Sequence, residues 1–245
     1  MQATNRSTAN VNVDASALRG DVIAETGSTI SWLMQNASSL EGNLQNVTNV
    51  NLNTNSTLNG NVLAVAGTAA AVNLNNGSVI NGNVENVFDL KLDNNSQMTG
   101  DVLSDTNGSV LLTNGSMLTG QITNSSNLNI NNAAQWVMTG DSTVQRLGMS
   151  SGVVRMGTNE QFQQLNIGEL SGSGTFVMGT DLGNGDTDFL NVTGTASGQH
   201  QLLVSATGTT PTSAEAVKIG NIAAGDASFS LGGRERSTPV RSFTG

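Results

Sequence analysis

The sequence predicts an all-β chain, a right-handed parallel β-helix with about 20 residues to the coil. Three observations carry that expectation. A phrase of the form apolar, polar, Gly, polar, usually apolar is written seven times: Leu18-Arg-Gly20-Asp-Val22, Leu40-Glu-Gly42-Asn-Leu44, Leu58-Asn-Gly60-Asn-Val62, Ile80-Asn-Gly82-Asn-Val84, Met98-Thr-Gly100-Asp-Val102, Leu118-Thr-Gly120-Gln-Ile122 and Met138-Thr-Gly140-Asp-Ser142. Its glycines step by 22, 18, 22, 18, 20 and 20 residues, a period that marks a solenoid. Every step is even; strand side chains alternate faces with period two, so an odd step would turn the apolar set outward. Third, the 245 residues are 36% hydrophobic but only 3% aromatic and 11% charged. That composition suits a narrow core of Val, Leu, Ile, Ala and Met better than an ordinary enzyme core or a disordered chain.

Within each coil the glycine phrase supplies one strand, and a second follows eight to twelve residues later: Val50-Asn-Leu52, Val72-Asn-Leu74, Leu90-Lys-Leu92, Val110-Leu-Leu112 and Leu128-Asn-Ile130. Polar corners come next, such as Asn53-Thr-Asn-Ser56, Asn75-Asn-Gly-Ser78 and Asp93-Asn-Asn-Ser96, where Asn and Gly tolerate positive φ. A short apolar stretch such as Val62-Leu-Ala-Val65 supplies the third strand. Three strands and three corners give a coil of triangular section. With strands about 4.8 Å apart, seven coils make a rod on the order of 35 Å long. The many Asn residues are expected to form hydrogen-bonded ladders between equivalent positions of successive coils.

Residues 1–150 are read as these repeat coils and 151–233 as final coils with a capping element of hairpin-like strands. Four of the six Phe fall between Phe162 and Phe229. A solenoid needs such an end unit, since its last coil otherwise exposes a core face and an open strand edge. Residues 234–245, which hold three of the nine basic residues, read as a flexible tail or an appended scar.

The net charge of −9 disfavours phosphate backbones and anionic lipid surfaces, so nucleic acid is not an expected partner. Without cysteine the chain has no disulfide framework or thiolate metal site. No apolar run is long enough to span a membrane as a helix. Met1-Gln-Ala-Thr-Asn5 lacks the apolar run of a signal peptide and reads as a start placed on an internal fragment.

One stretch resembles a known family. Leu165-Asn-Ile167-Gly-Glu-Leu170-Ser-Gly172-Ser-Gly174-Thr-Phe176-Val-Met178-Gly-Thr180-Asp181-Leu182, then Gly185-Asp186-Thr-Asp188-Phe-Leu190-Asn-Val192-Thr-Gly194 and Ala196-Ser-Gly198-Gln-His200-Gln-Leu202-Leu-Val204, is similar to the C-terminal part of autotransporter passenger domains. The group is the pertactin-like and diffuse-adherence-adhesin-like one. The resemblance implies a virulence passenger of a Gram-negative bacterium, displayed at the surface or secreted through its own C-terminal outer-membrane β-barrel. It implies a fragment without signal sequence, N-terminal part or barrel. It also implies that the C-terminal region acts as an autochaperone-like cap, with Leu170, Gly172, Gly174, Phe176, Asp181, Asp188, Leu190, Val192 and Gly194 as its motif residues. The expected function is adhesion, to a host-cell receptor or matrix protein or by self-association. The alternatives are an immune-evasion passenger that binds a serum factor, and a stalk whose enzymatic domain lies further N-terminal.

Candidate sites within the chain are few. Arg19-Gly20-Asp21 is an integrin-type tripeptide and a possible receptor contact, but its Gly and Asp already belong to the repeat phrase. Asp181-Leu-Gly-Asn-Gly-Asp186-Thr-Asp188 has the oxygen-rich, Gly-containing texture of a calcium loop without the ligand spacing of a known one. His200 is the only histidine, which excludes a histidine metal cluster, and there is no Gly-x-Ser-x-Gly. Asp21, Asp101 and Asp141 share one corner but are interrupted by Asn, a poor arrangement for a catalytic carboxylate pair. No catalytic residue, cofactor, metal or small-molecule substrate is expected. Trp32 and Trp136 are expected to fill coils or lie at an edge.

Overall fold

The structure is a computed structural model and describes residues 1–157, 161–207 and 216–232. The tail expected at 234–245 lies outside the described residues. The fold is an all-β parallel solenoid, as the repeat requires. Each coil lays down three strands, and each strand pairs in parallel with its equivalents one coil earlier and one coil later.

The first face follows the glycine phrase, with Val22, Leu44, Val62, Val84, Val102 and Ile122 in register and buried. The second face stacks Trp32, Val50, Val72, Leu90, Val110, Leu128, Leu147, Leu170 and Ala196. The third face stacks Leu18, Leu40, Leu58, Ile80, Met98, Leu118, Trp136, Val154, Phe176, Leu202 and Leu231. Between the ends these side chains are nearly inaccessible, while Leu18 and Leu231, at the two ends of the column, are exposed. The even steps of the glycine phrase are therefore what keep each column apolar.

The glycine corner, between the third and first faces, explains the phrase. At Gly42, Gly60, Gly82, Gly100 and Gly120 a Cβ would fall 2.0–2.4 Å from the carbonyl oxygen of the preceding coil's glycine. Only glycine lets the backbones stack this closely. The seventh phrase does not join the stack. Trp136, not Met138, pairs with Leu118, and Gly120 donates to the Val137 carbonyl, so Gly140 stands two residues past the position its phrase implies. The three atoms nearest a Cβ there all belong to the Gln121 side chain.

The polar corner, between the second and third faces, hides a column the sequence pattern does not advertise. Ser38, Ser56, Ser78, Ser96 and Ser116 are fully buried. The first four donate to the carbonyl three residues earlier at 2.6–2.8 Å, and Ser116 donates to the Leu92 carbonyl at 3.0 Å. A short side chain that bonds back to its own turn can face a core without an unmet polar group.

Val84–Leu92 and Val102–Leu112 already run without a break through the corner between faces one and two, and from residue 142 the strands lengthen further, to Ser142–Arg155 and Gln164–Asp181. The expected hairpin-like strands amount, among the described residues, to one antiparallel pairing, Thr180–Thr187 and Asp181–Asp186. The remaining strands there continue the parallel coils through Ser228–Gly232.

Candidate functional site

At the glycine corner the residue after each Gly has a backbone task. The Asp21 carboxylate accepts from the Asn43 backbone N–H at 2.8 Å; Asn43, Asn61, Asn83 and Asp101 in turn accept from Asn61, Asn83, Asp101 and Gln121 at 2.8–2.9 Å. Asp141 does the same for Gln164 at 2.7 Å. Asp and Asn are interchangeable here because each offers an oxygen to the next coil, so the three aspartates form a scaffold and not a reacting pair. Arg19, Gly20 and Asp21 are exposed, but the Arg19 guanidinium pairs with Glu41 at 3.0 Å and Asp21 is the first rung of the ladder. The tripeptide is built into the rod's first glycine corner.

Outward-facing Asn residues add a second set of ladders. Asn81 donates to Asn59 at 2.8 Å, Asn73 to Asn51 at 3.1 Å, Asn132 to Asn114 at 2.9 Å and Asn191 to Asn166 at 2.8 Å. These pairs present amide groups at several levels of the rod.

The motif residues of the C-terminal region are spread over successive coils. Leu170, Phe176, Leu190 and Val192 are core positions. Gly172 and Gly194 allow close backbone approach, since a Cβ would lie 2.0 Å from the Met149 oxygen and 2.5 Å from the Gly168 oxygen, respectively. Gly174 makes room for the Met149 side chain. Asp181 lies in the hairpin, where its carboxylate accepts from the Gly183 and Asn184 backbone at 2.8 and 3.3 Å and from the Asn184 amide at 3.2 Å. Those bonds fold the loop on itself, and no group of three or more His, Cys, Asp or Glu side chains suited to a metal occurs among the described residues.

Asp188 is different. It is completely buried, and its two oxygens accept from the Gln163 and Gly179 backbone N–H groups at 2.7 Å each. Burial pushes its pKa up, and hydrogen bonds from Gly179, Gln163 and Gly157 oppose that shift. One carboxylate thus clasps three separate backbone segments. The alternation Asp188, Leu190, Val192 is the sequence signal that could have placed it inward. His200, also buried, lies between Phe176 and Phe229 with ring centroids 5.9 and 5.4 Å away. Nε2 lies 3.1 Å from the Ser197 carbonyl, and Nδ1 has no hydrogen-bond partner. Burial lowers its pKa, with the Ser197 contact opposing. Trp32 and Trp136 are both core residues, the latter donating to the Gly120 carbonyl at 2.9 Å, so neither is a surface contact.

The corner between faces one and two narrows in these late coils to a groove of about 680 Å³, lined among others by Thr143, Gln145, Arg146, Asn166, Glu169 and Thr195. Gly168 and Gly194 allow the tight bend, a Cβ at either lying 2.5 Å from the oxygen of the coil before. Arg146 and Glu169 pair across its rim at 3.1 Å, both more than half exposed. This open groove had no sequence motif to announce it.

Residues 144–240 match the family model described as Pertactin. Over 110 residues the chain is 42% identical to the autotransporter adhesin/invasin TibA of Escherichia coli O78:H11 (strain H10407 / ETEC), a match covering 41% of this chain and 11% of that protein. It is 36% identical over 110 residues to the autotransporter CRAC of Citrobacter rodentium, and 39% identical over 72 residues to the BrkA autotransporter of Bordetella pertussis, with 7% of each of those proteins covered. The matched segments thus span about a tenth or less of these relatives. The crystal structure of the Haemophilus influenzae Hap adhesin has the same fold, with TM-score 0.53 and 20% identity, over 89% of this chain and 30% of that one.

Proposed function

We propose that this chain, which carries a pertactin-like autotransporter passenger region, is an adhesive rod that acts by binding and not by catalysis. Such a passenger is anchored at the outer membrane, exposed at the cell surface or secreted. The observation that carries the reading is the outward Asn–Asn pairs, present at several levels of the stacked scaffold, in a chain similar to an adhesin/invasin. Many weak, evenly spaced hydrogen-bonding groups favour multivalent attachment, in which each added coil contributes a similar increment. The partner is a host surface or an identical rod on a neighbouring cell. The C-terminal coils, held by the Asp188 clasp and the Phe176–His200–Phe229 stack, act as the cap from which the rod folds, and the passenger's own barrel carries it outward.

Display of the passenger on a non-adherent bacterial strain tests this. Cells should settle faster or attach to host monolayers. The paired changes Asn59→Lys and Asn81→Lys on face three, or Asn51→Lys and Asn73→Lys on face two, should reduce the effect on whichever face makes the contact. Asn61 and Asn83 are unsuitable, because their oxygens serve the glycine-corner ladder. Cells that display a folded passenger and neither aggregate nor attach would sink the proposal.

A further inference from the structure

We infer that the corner between faces one and two, in the middle of the rod, is a docking surface for a cationic amphipathic segment of a partner protein. Leu63, Val65, Phe88 and Leu103 are each about a third to a half exposed there. Among the described residues, the other exposed large apolar side chains are Met1, Leu18 and Leu231 near the ends of the chain and Leu182 in the hairpin loop. Leu63, Glu85 and Leu103 sit on successive rungs, in register. Phe88 donates its backbone N–H to Ala70, and the turn that starts at Val65 reaches over the intervening coil so that the Gly67 N–H meets the Asp105 carboxylate at 2.6 Å. These contacts gather the four exposed side chains on one side of the rod, whereas other outward large apolar side chains of these coils, such as Val79 and Leu111, are only partly exposed. Exposed apolar groups collected in this way, with polar residues around them, mark interaction sites on soluble surfaces.

The charge around the patch selects the occupant. Glu85 sits on the rung between Leu63 and Leu103, Asp105 holds the turn at Gly67 and Asp89 directly follows Phe88, while the one basic residue between 63 and 109, Lys91, is paired with Asp93 at 2.9 Å. A second copy of this chain would bring the same carboxylates against them, and like charges across an interface oppose association. Four partly exposed side chains also fall far short of the roughly 800 Å² per partner of a standard protein–protein interface. A short segment with apolar residues on one side and Lys or Arg on the other satisfies both limits. The proposal rests on the binding reading above but not on self-association, and it stands or falls separately from cell aggregation.

The test uses the full chain and two labelled synthetic peptides of equal charge, one an amphipathic Leu/Lys helix former and the other with every Leu replaced by Ser. Fluorescence anisotropy at about 150 mM salt, where long-range attraction is screened, measures both. The Leu/Lys peptide should bind about tenfold or more tightly than the Lys/Ser peptide. The triple variant Leu63→Ser, Phe88→Ser, Leu103→Ser should erase that preference while leaving Lys/Ser binding unchanged. If the triple variant does not fold by circular dichroism, Phe88→Ser alone should reduce the preference at least about threefold. Equal binding of the two peptides by the unmodified chain, or a preference that survives substitution, overturns the proposal. So does a dimer in sedimentation velocity that the triple variant abolishes, since the patch would then serve a second copy. Preserved peptide preference in cells that fail to adhere would remove the adhesive reading and leave the patch.

Discussion

A carboxylate buried without a cation survives only where backbone N–H groups replace its water, and Asp188 meets that condition with three donors. Asp188→Asn keeps the shape but turns an NH₂ toward one of those N–H groups, so it should lower stability by about 2–3 kcal/mol, the cost of a buried donor left unmet. Asp186→Asn, on the exposed hairpin, should change chemical denaturation little. Equal effects would mean that the clasp does not hold the region together. His200 gives a pH signature of definite sign. Its folded pKa lies below its ordinary value of 6.5, so between the two values the unfolded chain binds more protons than the folded one. Stability contributed by the neutral ring is therefore present above about pH 6.5 and is lost as pH falls below it. Asp188 acts oppositely: its raised pKa makes the ionised form a cost in the folded state, which protonation relieves at more acid pH. On acidification from about pH 7 to pH 5 the midpoint of thermal unfolding should therefore change less favourably in the unaltered chain than in His200→Leu, which lacks the titrating ring. An unchanged slope in the variant would show that the ring titrates freely and that the Phe sandwich is loose.

Elements in this rod are defined by stacking, and substitutions separate the stacked positions from those that only look equivalent. Ile80→Asp puts an unpaired carboxylate into the face-three column and should cost several kcal/mol. Asn83→Asp keeps the oxygen that accepts the Asp101 N–H, as Asp21 and Asp101 already do for their neighbours, and should cost much less. Comparable losses in thermal stability would refute the register. The glycine corner allows a sharper comparison. Gly60→Ala drives a Cβ to within 2.1 Å of the Gly42 oxygen, a backbone clash that no rotamer relieves. Gly140→Ala meets the movable end of Gln121 first and should be far milder, although both glycines occupy the same place in the written phrase. Two equally damaging substitutions would return the seventh phrase to the stack. These pairs also show where the sequence was legible. Alternation located the three columns because an inward residue must be apolar and an even step preserves its parity. It misplaced the seventh phrase because a two-residue insertion preserves parity too, so Trp136 could take the column position two residues before Met138 without any break in pattern. The buried serines were masked because a hydroxyl that bonds its own turn reads as a polar corner. The groove and the apolar patch lie where the chain turns between faces one and two. There the connection shrinks from several residues, as at 64–70, to a single residue such as Gln145, so no period exposes it.

At the scale of the whole molecule the question is where folding starts. Nearly all pairings join residues about 20 or more apart, so each new coil closes a loop before its stacking is gained, and a first coil has no template beneath it. Residues 151–233 are proposed as that template. Long strands such as Gln164–Asp181 run around all three faces without interruption, and the Thr180–Asp181 hairpin closes locally. Asp188 then ties Gly157, Gln163 and Gly179 together, and the Phe176–His200–Phe229 stack spans three levels of the rod. The coils between Trp32 and Trp136 rely on thin aliphatic columns and Asn pairs, which reward stacking onto an existing coil more than they favour a first one. A fragment ending near Gly157 should accordingly refold slowly or aggregate through its open strand edge. A fragment from 150 to 245 should retain protected amides in hydrogen exchange, and adding it to the first fragment should speed recovery of β-structure. Asp188→Asn within the longer chain should slow refolding as well as weaken it, because the clasp would belong to the nucleus. If residues 1–157 alone unfold in one cooperative transition as stable as that of the whole chain, the rod needs no template, and folding can begin at any coil, as in a solenoid whose stability is only the sum of its repeats.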